Sequence, residues 1–324
     1  MRAWLTLPAL AGLALIAITT TAAAQADWPN RPIRIVEGFP AGSGVDIVAR
    51  LIADPLGRTL GQSVVVEPRT GAGGNVGTEF VAKSPPDGYT LYLGTSGTHA
   101  INPWLYSNLS FDVQKDFAPV TLLCDVPNIL ILNKNVPAHD LKQFLELVRA
   151  NPGKINYGSS GNGTSMHLAG EQFRAATGVN MLHIPYRGSP QATTDLMGGQ
   201  IQAMFHQVPA VIDQIKAGTF TVIGVTTATR VAALPDVPTL AEAGLPGFES
   251  STWYGLFAPA GTPKPIVDRL NREIVGYIKG DLGPRLAAQG VIPRTSTPAE
   301  FAQVIAADNK KWREIIERTG TKLD

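Results

Sequence analysis

Cysteine and charge are both scarce in this sequence. Cys124 is the only cysteine among 324 residues, so an internal disulfide bond is impossible. Residues 120–123 beside it suggest a strand, and this apolar setting favours a small buried side chain over a reactive thiol. Charged residues make up 16% of the chain, and 27 basic against 26 acidic residues leave a formal net charge of +1. This balance gives no electrostatic basis for binding nucleic acid or an anionic membrane.

Long hydrophobic runs are lacking after the N-terminus. The one such run, residues 4–18, follows Arg2 and precedes Ala24-Gln25-Ala26, which has the A-x-A pattern of a cleavage site. We therefore predict a cleaved signal peptide at residues 1–26, a mature chain that begins at Asp27, and a location outside the cytoplasm. The alternative is a membrane anchor. It is disfavoured because the run is short for a bilayer span and is followed by small residues instead of charges.

The signature motifs of several enzyme classes are missing. The G-x-S-x-G motif fails at residues 94–98, which lack the last glycine, and no P-loop, H-E-x-x-H or C-x-x-C sequence occurs. Residues 71–77 miss the dinucleotide fingerprint because Val76 stands where glycine is needed. The five histidines show no metal-ligand spacing. We therefore expect no metal and no cofactor.

What the sequence does contain is an alternation of short β-branched runs with helical periods. Hydrophobic residues make up 44% of the chain, enough for two domains or one large α/β domain. The order of these elements indicates a parallel sheet wrapped by helices. The predicted strands are residues 33–37, 63–67, 90–93, 128–132, 155–158, 181–184, 201–205, 221–225 and 252–257. The predicted helices are residues 45–60, 75–83, 140–150, 164–177, 191–197, 208–217, 265–279, 282–289 and 298–318.

The chain has no low-complexity linker, so two domains would have to be joined by crossing segments. The candidates for these crossings are residues 120–128 and 248–257. We expect a first domain built from residues 27–124 together with 250–324, and a second domain built from residues 125–249.

One segment with binding chemistry follows the first predicted strand and opens the first predicted helix. Its glycines let the backbone turn tightly and approach a ligand, and the first helical turn offers N–H groups without partners. Such a helix start binds anions without Lys or Arg. An ordinary glycine-rich turn is the alternative. The predicted binding residues of this segment are Phe39, Ala41, Gly42, Ser43, Gly44 and Asp46.

A second segment, in the other half of the chain, has the same design. It also leaves a predicted strand and opens a helix, and its small side chains are rich in hydroxyl donors. A cleft between two α/β units would place the two segments face to face around one ligand. The predicted binding residues of this segment are Ser159, Ser160, Gly161, Asn162, Gly163 and Thr164.

Four further residues are assigned to the same cleft. Ser96 and Thr98 lie at the carboxyl end of a predicted strand, where ligands collect in open parallel sheets, although a surface turn is the alternative. His167 lies one turn inside the second helix, where it either orients a ligand or buttresses the core. His206 ends a strand and is predicted to hydrogen-bond the far end of the ligand.

Ordered motifs along the whole mature chain resemble one known family. The sequence is similar to the Bug receptors, the TctC-type binding proteins of tripartite tricarboxylate transporters. It departs from the usual family pattern at Glu37-Gly38, at Ala41-Gly42-Ser43-Gly44 and at His206. The similarity rests on Pro32-Ile33-Arg34-Ile35-Val36, Phe39-Pro40-Ala41-Gly42, Asp46, Glu67-Pro68-Arg69, Gly71-Ala72-Gly73-Gly74-Asn75, Pro86-Asp87-Gly88-Tyr89-Thr90-Leu91, Ser160-Gly161-Asn162-Gly163-Thr164, His167-Leu168-Ala169-Gly170, Pro185-Tyr186-Arg187-Gly188, Leu234-Pro235-Asp236-Val237-Pro238-Thr239 and Trp253-Tyr254-Gly255-Leu256.

The resemblance implies both a fold and a function. The implied fold is α/β, the two-domain periplasmic-binding-protein fold of the Venus-flytrap, type II-like kind, with the ligand in the interdomain cleft. The implied ligand is a small carboxylate, such as a dicarboxylate, tricarboxylate or aromatic acid, held by backbone amides and waters at residues 39–46 and 159–167. The implied partners are the large and small membrane subunits of the transporter, and we expect a monomer.

Two functions from different classes remain to be compared. The first is a receptor without catalysis, in which the ligand shifts an equilibrium between open and closed forms. The second is a secreted serine hydrolase of the α/β type, with Ser96 or Ser160 as nucleophile and a histidine as base. The missing nucleophile elbow and the family resemblance both favour the receptor.

Overall fold

The computed structural model describes residues 28–319, and the predicted signal peptide lies outside this range. The first part of the chain forms three strands that pair side by side. Strand β1 is parallel to both β2 and β3, and two helices connect them. These elements are β1 (Ile33–Glu37), α1 (Gly44–Leu60), β2 (Val64–Pro68), α2 (Asn75–Ala82) and β3 (Thr90–Thr95). A short helix follows, α3 (Asn102–Leu105).

The middle of the chain forms a second group of strands with helices between them. Strand β5 is parallel to β6 and β7. The predicted helix at 208–217 is interrupted, with a 3₁₀ turn at Val208–Ala210 before the helix resumes. The group consists of α4 (Leu141–Ala150), β5 (Asn156–Ser159), α5 (Ser165–Thr177), β6 (Leu182–Pro185), α6 (Ser189–Met197), β7 (Ala203–Gln207), α7 (Ile212–Lys216) and β8 (Thr221–Val225).

Two long antiparallel strands, β4 (Phe117–Leu132) and β9 (Ser251–Pro259), join the two groups. The first part of β4 pairs with β9, and its last five residues pair with β7 and β8. The strands predicted at residues 120–123 and 128–132 are parts of this one strand. The strand continues through Pro127 because β4 changes partners there, where a missing N–H disturbs the hydrogen-bond ladder least. The whole network, in the order β2-β1-β3-β9-β4-β7-β5-β6, is therefore mixed and not parallel throughout.

The C-terminal helices pack back onto the first group of strands. They are α8 (Lys264–Lys279), α9 (Leu282–Ala288) and α10 (Pro298–Thr319), with a short strand β10 (Ile292–Pro293) that pairs with β4. Ile266 and Leu270 of α8 join the core around β1 and α1, and Phe301 of α10 packs beside Phe257. A separate core, which includes Phe144, Phe173 and Phe205, fills the second group.

The local sequence of helix α1 explains where this helix packs and where it ends. Val45, Val48, Ile52 and Leu56 recur at helical spacing and are buried against the first core. The helix ends at Gly61, whose φ of 66° is the left-handed conformation that glycine adopts without strain. Between residues 28 and 319, every helix is too short or too polar to cross a bilayer.

Candidate functional site

Helices α1 and α5 both begin at one shared cavity. The N-cap of α1 is Ser43, whose Oγ accepts a hydrogen bond from the N–H of Asp46 at 3.2 Å. The N-cap of α5 is Thr164, whose Oγ1 accepts from the N–H of His167 at 3.5 Å. The first-turn residues Val45 and Ser165 line the cavity, and N–H groups in a first turn have no acceptor within their own helix. The cavity therefore lies at the positive ends of two helix dipoles.

The cavity is small: the volume open to the centre of a water molecule is about 20 Å³. The strand group β1–β3 contributes one wall, and Thr252 at the start of β9 contributes to the lining as well. The residues of the first wall are Phe39, Ser43, Val45, Gly73, Thr95 and Gly97. The second wall comes from the strand group β5–β7 and consists of Ser160, Thr164, Ser165, Met166, Ser189 and Gln207.

The lining is uncharged and combines apolar surface with hydroxyl and amide groups. Among the described residues that surround the cavity, none has an ionisable carboxylate, ammonium, guanidinium or imidazole group. Hydroxyl, amide and backbone N–H groups supply its hydrogen bonds, and these donors suit an oxyanion. No cluster of His, Cys, Asp or Glu that could hold a metal ion occurs between residues 28 and 319.

A third helix, α6, adds a side chain that lacks a partner within the protein. Ser189 is 1% exposed, and its Oγ makes no hydrogen bond to any atom of the described chain. It begins α6 and lines the cavity. A buried polar atom without a partner costs about 1–3 kcal/mol, so this hydroxyl is available to bond a water or a guest molecule in the cavity.

The two strand groups touch each other across the cavity. The phenol of Tyr254 donates to Gln207 Oε1 at 2.6 Å, linking β9 to the end of β7. A Cβ placed on Gly73 would lie 3.0 Å from the carbonyl oxygen of Asn162. A Cβ placed on Gly188 would lie 2.1 Å from Cγ of Pro40. Glycine at positions 73 and 188 therefore permits a close approach of the two halves.

Within the first predicted segment, the side chains divide into cavity lining and support. Phe39 and Ser43 line the cavity, whereas Ala41 and Gly42 are exposed beside it. Gly42 has a φ of 81°, which favours glycine, and its N–H donates to Asp46 Oδ2 at 2.9 Å. Asp46 also pairs with Arg50 at 2.9 Å, so this carboxylate holds the loop in place. Gly44 is buried beside Gln207, where a Cβ would lie 2.6 Å from Oε1.

The second predicted segment is supported by two stacked imidazoles. Ser160 and Thr164 line the cavity, while Ser159 Oγ hydrogen-bonds His183 Nε2 at 2.7 Å. The N–H of Gly163 donates to His167 Nδ1 at 3.2 Å, and the two histidine rings stack with centroids 4.2 Å apart. Burial lowers the pKa of His167, and it lowers that of His183 to about 4, so both rings are neutral at pH 7.

Gly161 and Asn162 complete this second segment at the edge of the cavity. Gly161 has a φ of 122°, and its carbonyl accepts a hydrogen bond from Thr164 Oγ1 at 2.7 Å. The carbonyl of Asn162 faces Gly73 of the opposite half. Gly163 has a φ of 78°, a conformation that other residues rarely adopt. These glycines fix the path of the loop that leads into α5.

Ser96 and Thr98 are buried behind the cavity wall. Ser96 Oγ lies 2.7 Å from Thr252 Oγ1, and Thr98 Oγ1 accepts from the N–H of Thr95 at 3.0 Å. Their neighbours Thr95 and Gly97 line the cavity instead. The segment after β3 is a π-helical turn at Gly97–Ile101 and not an open loop, and both hydroxyl residues are buried there.

His206 is also turned away from the cavity. Its Nε2 lies 2.8 Å from Thr193 Oγ1, and its Nδ1 lies 3.1 Å from the carbonyl oxygen of Gln207. The ring is 1% exposed, and burial lowers its pKa to about 4. Side chains alternate between the faces of a strand, so Gln207, the next residue along β7, lines the cavity. The alternation of a strand does not by itself show which of His206 and Gln207 faces the cavity.

The contacts of the candidate nucleophiles do not form a catalytic triad. In the described chain, neither Ser96 nor Ser160 hydrogen-bonds to a histidine. The serine that does is Ser159, which is fully buried, and no carboxylate hydrogen-bonds to its partner His183. A serine hydrolase needs an accessible nucleophile with an oriented base.

Comparison of the sequence with known families and proteins gives a consistent result. The family model described as "Tripartite tricarboxylate transporter family receptor" (TctC) matches residues 48–321. The UPF0065 protein in the tcbD-tcbE intergenic region of Pseudomonas sp. strain P51 is 39% identical over 95% of this chain and 92% of that protein. BugT of Bordetella pertussis is 36% identical over 97% of this chain and 98% of BugT.

Solved structures of similar sequence share the fold. R. palustris Rpa4515 with adipate has a TM-score of 0.88 and 36% identity, covering 90% of this chain and 98% of that one. The periplasmic binding protein BugD has a TM-score of 0.86 and 36% identity, covering 91% and 99%. MatC (Rpa3494) from Rhodopseudomonas palustris with bound malate has a TM-score of 0.83 and 32% identity, covering 89% and 100%. With its α/β architecture and two-domain periplasmic binding fold, this chain belongs to the TctC family of tripartite tricarboxylate transporter receptors, as its sequence motifs indicated.

Proposed function

We propose that this protein captures a small carboxylate in the cavity between its two halves and delivers it to the membrane subunits of a tripartite tricarboxylate-type transporter. The observation that carries the proposal is an uncharged cavity at the shared starts of α1 and α5, with Ser189 of α6 beside them. Helix starts bind anions through backbone N–H groups without cationic side chains. The predicted segments 39–46 and 159–167 remain our assignment for the carboxylate site.

The class of ligand is inferred from two relatives. Rpa4515 is described with adipate and MatC with malate, and both are similar to this chain over nearly its whole length. Adipate and malate are small dicarboxylates without a positive charge. The absence of an acidic side chain from the cavity lining favours an anionic ligand over a basic one, since a cation would find no countercharge among the lining residues.

Capture is proposed to occur by closure of two domains. We assign residues 27–124 and 250–324 to the first domain and residues 125–249 to the second. This division is supported by β4, which exchanges β9 for β7 near Pro127, and by β9, which begins at Ser251. Ligand contacts made from both sides stabilise only the closed form, so the ligand shifts the equilibrium towards it.

The proposed location and partners are those that the family resemblance implies. We propose export to the periplasm after removal of residues 1–26, function as a monomer, and docking of the ligand-bound form onto the large and small membrane subunits. We infer no catalysis, because no serine that faces the cavity has a histidine base in the described chain.

Thermal unfolding with a panel of acids tests this function. At a ligand concentration 100 times Kd, binding stabilises the folded state by about 2.7 kcal/mol, which raises Tm. Adipate, malate and an aromatic acid are each titrated at pH 7, and product formation is followed in parallel. A concentration-dependent rise in Tm without turnover is expected. Turnover without any rise would favour the hydrolase.

A matched pair of variants links this rise in Tm to the second segment. Gly163→Val forces a β-branched residue into a φ of 78° at the start of α5 and should abolish the rise. Gly178→Val places the same residue at a φ of 68° at the other end of α5, where a Cβ meets nothing within 4 Å. Gly178→Val therefore controls for backbone strain and should keep the rise. Unchanged affinity in a folded Gly163→Val protein would remove the segment from the site.

A further inference from the structure

Glu37 is a buried carboxyl group directly behind the cavity wall. It ends β1, is 0% exposed, and its Oε2 accepts a hydrogen bond from the N–H of Phe39 at 2.7 Å. Phe39 lines the cavity. The other oxygen, Oε1, makes no hydrogen bond to any described atom. The N–H of Phe39 is thus the only hydrogen-bond donor to the Glu37 carboxyl group within the described chain. This group would carry a full negative charge if it were ionised.

The surroundings of Glu37 do not neutralise that charge. Asp46 and Arg50 face it from α1, but Arg50 is exposed and already paired with Asp46 at 2.9 Å. The titratable groups of β3, which pairs with β1, and of β9, the next strand beyond β3, are the phenols of Tyr92 and Tyr254. The backbone N–H of Arg69 bonds the Glu37 carbonyl, while its guanidinium pairs with Glu67 at 2.6 Å.

Burial is the main reason that the pKa of Glu37 rises to about 8, and the hydrogen bond from Phe39 only partly opposes it. At pH 7 the carboxyl group is therefore mostly protonated and neutral. An ionised Glu37 would instead hold a negative charge beside the loop that opens α1. That charge would repel an anion in the cavity and offset the helix dipole.

We propose that Glu37 is a positioning residue that couples carboxylate capture to protonation, so that the cavity binds its anion when Glu37 is neutral and releases it when Glu37 is ionised. This inference rests on the proposed function. Because the bound anion favours the protonated form, binding takes up a proton at alkaline pH. Affinity is then constant near pH 7 and falls above pH 8 by up to about tenfold for each pH unit.

The other titratable groups near the cavity do not change protonation between pH 7 and 9.5. Burial lowers the pKa of His167, and it lowers that of His183 and of His206 to about 4, so all three are neutral above pH 7. Burial raises the pKa of Tyr92 and of Tyr254 well above 10. Adipate and malate are fully ionised above pH 7. A change in affinity between pH 7 and 9.5 therefore reports Glu37.

The experiment measures Kd for adipate and for malate by calorimetry from pH 6.5 to 9.5. Three proteins are compared: wild type, Glu37→Gln, and the control Glu79→Gln, which removes an exposed glutamate of α2 paired with Lys83. Wild type and Glu79→Gln should lose about tenfold or more in affinity between pH 7.5 and 9.5. Glu37→Gln keeps the shape and the acceptor for Phe39, so it should match wild type at pH 7 and stay constant.

Proton uptake gives a second measurement on wild type alone. Calorimetry at pH 8 in buffers of different ionisation enthalpy should show net proton uptake on binding, and zero uptake would overturn the proposal. A wild-type Kd that does not depend on pH, or a slope that persists in Glu37→Gln, would overturn the role of Glu37 and leave the receptor function intact. No binding of any acid at pH 7 would overturn the receptor function and this inference with it.

Discussion

Gly188→Ala tests whether the two halves must meet for the ligand to be held. Gly188 precedes α6, and its φ of 170° is extended backbone that alanine adopts without strain. The added Cβ would lie 2.1 Å from Cγ and 2.6 Å from Cδ of Pro40, which belongs to the loop between β1 and α1. Pro40 is a rigid ring and cannot rotate away. The substitution therefore penalises the closed contact and not the local fold of either half.

The size of the effect follows from the overlap. Inserting one methyl group into a packed contact costs about 1–3 kcal/mol. In the proposed closure this contact is made only in the closed form, so the cost subtracts from the binding free energy. At 1.4 kcal/mol for each factor of ten, the affinity for the acid should fall by about 5- to 150-fold.

Calorimetry with the acid that gives the largest rise in Tm measures this loss. The matched control is Gly276→Ala in α8, where an added Cβ meets nothing within 4 Å. Gly276→Ala should bind like wild type, and both variants should keep a wild-type secondary structure by circular dichroism. Wild-type affinity in Gly188→Ala would refute the argument that binding requires contact between the halves.

Three other substitutions test separate parts of the structure. The stability that protonated Glu37 contributes is present below its ordinary pKa of 4.5 and is lost as pH rises through about 8. Urea unfolding should therefore show that the free energy of unfolding of Glu37→Gln increases relative to wild type between pH 5 and 9. The upper limit of this gain is on the order of 5 kcal/mol; an equal difference at both pH values would contradict it. Tyr254→Phe removes the buried bond to Gln207 and should cost about 1–3 kcal/mol in urea unfolding. Ser189→Ala should lower affinity about 5- to 10-fold without loss of stability, since its hydroxyl has no partner in the described chain; a clear fall in Tm would instead assign it a structural role.

Local periodicity was enough to find most of the elements. The strand predicted at 221–225 matches β8, and the helix predicted at 45–60 differs from α1 by one residue. The long strand β4 was missed because Pro127 resembles a strand end in any local window. Its antiparallel pairing with β9 joins residues more than 100 positions apart, and this pairing depends on packing that short-range patterns do not contain.

The candidate site was predictable only where a glycine-rich turn follows a strand. The segments around Ser43 and Thr164 carry that signal, and both line the cavity. Ser189, Gln207 and Thr252 come from three other places in the chain and carry no motif of their own. Only the tertiary fold brings them together. Whether Gln207 faces the cavity also depends on the register of β7, which sets the side of the sheet on which each of its side chains lies.

The central claim is that an anion is held by helix-start amides in a cavity without charged side chains. A crystal structure with the acid that gives the largest rise in Tm tests this most directly. We expect a ligand carboxylate within about 3 Å of backbone N–H groups in the first turns of α1 and α5, directly or through one water. A carboxylate bound to an arginine or lysine side chain, or located outside this cavity, would contradict the claim.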